Sequence, residues 1–358
     1  MRPLQLLKAV ILSCSVLAAL GLVLLPHAVM PGGQQQEESL LVKARQIFSA
    51  LSKDMAAPEF PITPELVELG RALFFDPRLS LDGTVSCARC HQPSLYGTDA
   101  LPKSVGVENR SSTRNAPTIL NAALQFTIHW YGDRTSVEDQ AAKSFLGHAS
   151  FGNLDFSGVA AKIRTVPSYE EMFAKAFPGE KEAMTLQNCG KAVGAYERTL
   201  VTPSPFDSYL KGDTRALSAA AREGLAEFLG VGCASCHDGM GVGGRMFQKF
   251  GIHGDYWTAT GSKEVDEGRY NVTNQPTDMY MFKVPVLRNV AITPPYFHDG
   301  SVATLPEAVR VMAKVQSGKT LSDKQVDHIV RFLEALTGKL PENFAVPPTL
   351  PPAAFQRR

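Results

Sequence analysis

Two short segments of this sequence carry residue types spaced for chemistry: Cys87-Ala88-Arg89-Cys90-His91 and Cys233-Ala234-Ser235-Cys236-His237. Two thiols three positions apart reach the two vinyl groups of one haem and close two thioethers. The adjacent histidine then turns its imidazole to the iron. Thiol redox sites also use Cys-x-x-Cys, and two such pairs can build a four-cysteine zinc site. Three features favour haem here: the pairs are far apart, each ends in histidine, and the N-terminus has an export pattern. The spacing therefore predicts two covalently bound haem c groups, with His91 and His237 as proximal iron ligands.

That export pattern is Arg2 and Lys8 followed by an apolar run from Ala9 to Leu25. A positive start before such a run marks a signal peptide or an N-terminal anchor. The run fits the roughly 17 to 25 residues that cross a bilayer. No clean small-x-small cleavage site follows at His27-Ala28-Val29-Met30, which inclines the reading to an uncleaved anchor. Positive charge on the near side would keep the N-terminus cytoplasmic and export the remainder. The expected location is periplasmic, tethered to the cytoplasmic membrane if the segment is retained. The 358 residues leave room for two domains. Thirty-six Lys and Arg against 35 Asp and Glu give a net charge of +1, without the basic excess that nucleic-acid binding needs. Of the six cysteines, Cys14 falls in the apolar run, and Cys189 lies in a helical stretch where it reads as a small buried apolar residue.

The elements that must position the motifs repeat along the chain. Before the first, Thr63 and Pro64 start a helix with Leu66, Leu69, Leu73 and Phe74 on one face. Before the second, Ser218 starts a helix with Leu225, Phe228 and Leu229. A glycine precedes a phenylalanine by four positions in both, at Gly70 and Phe74 and at Gly224 and Phe228. The predicted fold is mainly α, with two cytochrome c-like helical haem domains, few strands, and an old duplication behind them. The expected organisation is a signal or anchor over 1–30, a linker and lead-in over 31–60, haem domains over 61–202 and 203–340, and a Pro-rich extended tail over 341–358. Pro203 and Pro205 mark the linker between the domains. Ser322 and Gln325 predict a capping box for a last helix, lined by Val326, Ile329, Val330, Leu333 and Leu336 and closed by Gly338.

The stretches FFDPRLSLDGTVSCARCH, RNAPTILNAALQF and FKVPVLRNVAITPPYFHDGSVATLPEAVRVM resemble those of bacterial di-haem cytochrome c peroxidases and the related MauG-type enzymes, over about Leu66 to Gly338. The resemblance implies a peroxide-reacting haem on His91, an electron-receiving haem on His237, and a calcium ion at the junction. It places the sixth ligand of the second iron on Met312, where MauG-type enzymes carry tyrosine. Without it, Met312 would read as a core methionine, and Met240, Met246, Met279 and Met281 would compete. The calcium ligands implied are the Asn115 side chain and the Thr293 and Pro295 carbonyls; from sequence alone Asn115 is a turn residue beside Pro117.

Two departures from the family pattern bear on mechanism. The usual peroxidases carry a second histidine that blocks the first iron until the partner haem is reduced; its position here is Val107. Valine cannot ligate iron, which implies an iron open to peroxide without reductive activation. The family also supplies a distal glutamate downstream of a Glu-Glu-Gln. Glu138-Asp139-Gln140 keeps Gln140, but the glutamate position falls at Ser150-Phe151-Gly152. His148 is the nearest group able to shuttle protons, although a lone histidine is more often structural or exposed. An aromatic is expected between the haems, and Trp130 or Tyr131 occupies that stretch.

The leading expectation is a peroxidase that reduces hydrogen peroxide to water with electrons from a small cytochrome c or cupredoxin. A second reading is a MauG-like oxidation of a partner protein's side chain, favoured by Val107 and opposed by Met312. A third is electron transfer or haem-based sensing. A homodimer is a further possible assembly.

Overall fold

The computed structural model describes residues 32–353, so the apolar N-terminal run and Cys14 lie outside the described residues. Helices build most of the first half, and the three that frame its core follow a lead-in helix. α1 (Gly32–Ile47) leads in. α2 (Pro64–Phe75) starts where Thr63 accepts a hydrogen bond from the Leu66 N–H and Pro64 takes the first turn. α3 (Val137–Ser144) is capped by Ser136, and α4 (Leu186–Glu197) by Thr185. α2 and α3 both pack on α4. Cys189 is fully buried in α4, as expected of a small apolar residue.

The second half repeats this arrangement. α5 (Pro205–Lys211) follows the linker. α6 (Ala219–Val231) is capped by Ser218, and α7 (Leu305–Ser317) by Thr304. α8 (Asp323–Glu334) has the predicted Ser322–Gln325 capping box. The repeated glycines explain how the helices cross. A Cβ on Gly70 would lie 1.8 Å from the Ala192 carbonyl oxygen, and one on Gly224 would lie 1.8 Å from that of His328. Only a residue without a side chain lets α2 meet α4, or α6 meet α8, this closely. One turn further on, Phe74 packs on Tyr196 at 5.4 Å and Phe228 on Phe332 at 5.2 Å between ring centroids. The two named strands, β1 (Phe247–Lys249) and β2 (Met281–Lys283), form one antiparallel ribbon with Gln248 opposite Phe282. The expected mainly helical fold with few strands is what the chain adopts.

Three local expectations change. α8 ends at Glu334 with Ala335 as its cap, short of Gly338. The Gly338 N–H instead donates to Asn289 Oδ1 at 3.0 Å, and a Cβ there would lie 2.1 Å from the Thr202 carbonyl oxygen. Gly338 serves packing against the interdomain linker rather than helix termination. The lead-in is not a plain linker either. Leu41, Ala44 and Phe48 join the core of the second half, with Phe48 5.4 Å from Phe206. The described part of the tail is anchored in the opposite half. A turn of helix at Glu342–Ala345 buries Phe344 completely in the first core, and Arg71 Nε donates to the Asn343 carbonyl at 2.7 Å.

Candidate haem centres and their junction

Each Cys-x-x-Cys-His segment begins in a single helical turn that ends at its histidine or just before it. In both, the histidine N–H closes that turn by bonding the carbonyl of the first cysteine at 3.0 Å. The turn sets both thiols and the imidazole around one space. None of the four motif cysteines is in a disulfide. Burial pushes the Cys90 and Cys233 thiols up to about 11, so they are held uncharged. Both imidazoles are also held neutral. Burial lowers His91 below its usual value and takes His237 down to about 4. His91 Nδ1 lies 2.9 Å from the Gly97 carbonyl. A carbonyl can only accept, so Nδ1 carries the proton and Nε2 keeps its lone pair for a metal.

A cavity of about 320 Å³ opens beside the second motif, with Cys233, Cys236, His237 and Met312 in its wall. Among the five methionines that competed on sequence, Met312 is the one that lines this cavity; Met240 packs elsewhere, with Leu51 and Met55. The donor set, an imidazole, a thioether and two thiols lining one mostly apolar space, fits a haem c. Asn115, Thr293, Pro295 and Trp130 line the same cavity. Trp130 Nε1 donates to the Asn115 carbonyl at 2.9 Å, and the Asn115 N–H donates to the His298 carbonyl at 2.7 Å. The implied calcium-binding residues and Trp130, one of the two aromatics expected between the haems, thus line one cavity. Tyr131 sits beside it, with the Arg114 guanidinium 4.0 Å from its ring centroid.

The two departures near the first motif meet in space. Val107 is fully buried, and its N–H bonds the Ser150 carbonyl at 3.1 Å. A Cβ on Gly152 would lie 2.5 Å from a Val107 methyl. At the glutamate position, Ser150 Oγ donates to the Ser144 carbonyl at 2.8 Å, Phe151 is buried against Phe145, and Gly152 takes a left-handed φ of 72°. Gln140 is half-buried on α3, with Nε2 donating to Ser144 Oγ at 2.8 Å. His148 is exposed, and its carbonyl accepts from Arg110.

Three buried groups escaped the sequence reading. Glu197, on α4, is pushed up to about 8 by burial, with the charge of Glu138 adding to the effect. Glu138 is itself held by Arg198 Nε at 2.6 Å. Lys283 lines the cavity beside the second motif, bonds Gln125 Oε1, and is pushed down to about 7 by burial. His298 is 2% exposed, and its Nε2 is buried without a hydrogen-bond partner. Glu197 and Lys283 each follow apolar neighbours, Tyr196 and Phe282, and that contrast is the signal that could have found them.

A family description of di-haem cytochrome c peroxidases matches residues 64–215. The chain is 40% identical over 282 residues to the cytochrome c551 peroxidase of Pseudomonas aeruginosa, an alignment covering 78% of this chain and 81% of that protein. It is also 40% identical over 297 residues to the cytochrome c551 peroxidase of Nitrosomonas europaea, covering 82% and 86% of the two chains. The chain belongs to the di-haem cytochrome c peroxidase family. As a member it is a peroxidase-type oxidoreductase with two haem c groups. The methylamine utilization protein MauG of Methylorubrum extorquens is similar at 36% identity, over 74% of this chain and 75% of that one. The fold matches the crystal structure of a MauG-like protein associated with microbial copper homeostasis, with a TM-score of 0.71, 26% identity, and coverage of 82% and 96%.

Proposed function

We propose that this family member reduces hydrogen peroxide to water with electrons from a small cytochrome c or cupredoxin, and that its first iron accepts peroxide in the oxidised resting enzyme. The observation that carries this reading is Val107, fully buried against the Gly152 turn at the position where a blocking histidine would stand. His91 would hold the first haem iron, and His237 with Met312 the second. Bound haem supplies the bond-breaking and electron-storing chemistry. The chain contributes the ligands, their protonation states and a water-poor surround. Lys283 is a buried amine lining the cavity beside the second motif, and its partner Gln125 is neutral; with haem bound, its charged form would be favoured by pairing with a haem carboxylate. Asn115, Thr293 and Pro295 would hold calcium at the junction. His148 remains the candidate for moving protons on the first side, Gln140 for a neutral hydrogen bond there, and Trp130 for carrying electrons between the halves.

Val107→His tests the reading. The oxidised wild type should show a high-spin ferric component and consume peroxide without a reductive lag. The variant should turn low-spin and slow its peroxide reaction until reduced. A wild type that is wholly low-spin at rest would overturn the proposal. Val107 also suits a MauG-like oxidation of a partner protein, whereas the Met312 thioether suits a haem fed by a donor. Sustained turnover with reduced cytochrome c favours the peroxidase; stoichiometric reoxidation without turnover favours the partner-oxidising reading. Absence of any peroxide reaction would leave electron transfer or sensing. The location that fits this function is the periplasm, reached through the N-terminal apolar run. No helix among the described residues is long and apolar enough to cross a membrane. Retention of that run as an anchor, and a homodimeric assembly, belong to the same proposal.

A further inference from the structure

Beyond the two main cores lies a small third one in the second half of the chain, built around Phe250, Tyr256 and Phe282 and edged by Trp130, Trp257 and Tyr280. The whole sequence contains two tryptophans, and both stand in this cluster. Their rings connect stepwise. Trp130, in the wall of the second haem cavity, is 6.4 Å from the His298 ring. His298 is 5.3 Å from Tyr256, Tyr256 is 5.1 Å from Trp257, and Trp257 is 5.1 Å from Tyr280. Tyr256 is fully buried, while Trp257 and Tyr280 are half-buried at the surface.

Hydrogen bonding distinguishes the inner rings from the outer ones. The Trp130 indole N–H donates to the Asn115 carbonyl, and the Tyr256 hydroxyl donates to the Asp266 carbonyl at 2.9 Å. A carbonyl is too weak a base to take the proton of an oxidised ring. A buried ring that loses an electron there keeps its proton and readily takes an electron from the next ring out. The outer rings reach water, which can accept theirs. Protonation alone therefore drives oxidation outward.

We propose that this aromatic chain is a drain for oxidising equivalents, used when peroxide arrives and no donor protein is bound. The proposal rests on the peroxidase reading. Reduction of one hydrogen peroxide to two waters requires two electrons and two protons. Without a donor, Trp257 and Tyr280 supply one electron each, passed inward through Tyr256, His298 and Trp130, and each releases its N–H or O–H proton. Hydrogen peroxide, one tryptophan and one tyrosine become two waters, one neutral tryptophanyl radical and one tyrosyl radical. A reduced donor protein, once it returns, gives each ring one electron, and water gives each one proton. The oxidation is thereby held at two half-buried side chains at the surface.

The test uses the full di-haem holoenzyme, oxidised, mixed with one equivalent of hydrogen peroxide without donor and freeze-quenched for electron paramagnetic resonance. Peroxide consumption is followed in parallel. Wild type should give tryptophanyl and tyrosyl signals. W257F should lose the first and Y280F the second, and Y256F should weaken both. Peptide mass spectrometry after longer exposure should find hydroxylated Trp257 or Tyr280 in wild type, with damage moved to other residues in the double variant. Turnover with a reduced donor should be unchanged in W257F and Y280F. Radical signals that persist in the double variant, or peroxide consumption without a protein radical, would overturn the drain alone. Donor-supported turnover that falls in step with the radical yield would also overturn it, by making the chain the donor's route. Failure of wild type to consume peroxide would overturn the peroxidase reading and the drain with it.

Discussion

Met312 and Glu197 illustrate how far single residues could be read. Met312 is one methionine among several in the sequence, and it is the one of them that lines the cavity with His237. A thioether ligand holds a haem at higher potential than a second imidazole does. Met312→His should therefore lower the potential of the second haem and slow its reduction by a donor, with both thioether links intact. Redox titration checks this, and an unmoved potential would remove Met312 from the iron. Glu197 carries a different signature, because its raised value means the folded chain holds a proton that the unfolded chain gives up. That contribution to stability is present below the ordinary carboxyl value of 4.5 and is lost as pH rises through about 8. Glu197→Gln should flatten the decline in denaturation midpoint between about pH 5 and about pH 8. Parallel declines in the two proteins would show that the carboxyl is not held neutral.

At the scale of elements, the helices were legible because their signals are local. Thr63 with Pro64, Ser218, and Ser322 with Gln325 each satisfy backbone N–H groups within one turn. The repeated Gly-x-x-x-Phe was visible as a pattern, but its purpose was not. It took the contacts of Gly70 with Ala192 and Gly224 with His328 to show a shared helix-crossing device. The end of α8 was misread at Gly338, because a glycine demanded by distant backbone looks the same in sequence as one that caps a helix. The tail was misread for a related reason: its prolines suggested an extended chain, while Phe344 alone carries the anchoring. Truncating a fully buried phenylalanine removes its transfer energy and leaves a cavity. Phe344→Ala should cost about 3–5 kcal/mol, read as a lowered denaturation midpoint. A cost near zero would mean that the tail does not hold to the first core.

The molecule as a whole is tied together by exchange between its halves. α1 packs on the second core, Phe344 packs on the first, and Thr202 in the linker is clamped by Asn121 at 2.7 Å and Asn289 at 2.9 Å. Below the linker, Asp207 and Arg288 form a fully buried ion pair at 2.8 Å. These ties fix the junction where Trp130 sits. Trp130→Phe keeps an aromatic ring there but removes the indole N–H bond to Asn115 and the more easily oxidised ring. It should slow electron transfer between the haems while leaving the first encounter with peroxide unchanged. Stopped-flow absorbance separates the two phases, and an unaltered interhaem phase would exclude Trp130 from the path.

The sequence by itself determined the cofactor attachment, the helical class, the family and the missing histidine at 107, since each rests on covalent spacing, local hydrogen bonds or an ordered run of residues. Tertiary structure decided which methionine shares a cavity with His237, that the lead-in and tail cross to opposite cores, and that Glu197, Lys283 and His298 are buried. Those outcomes depend on contacts between residues far apart in the chain. Burial and its effect on charge are properties of the assembled surround rather than of any short segment.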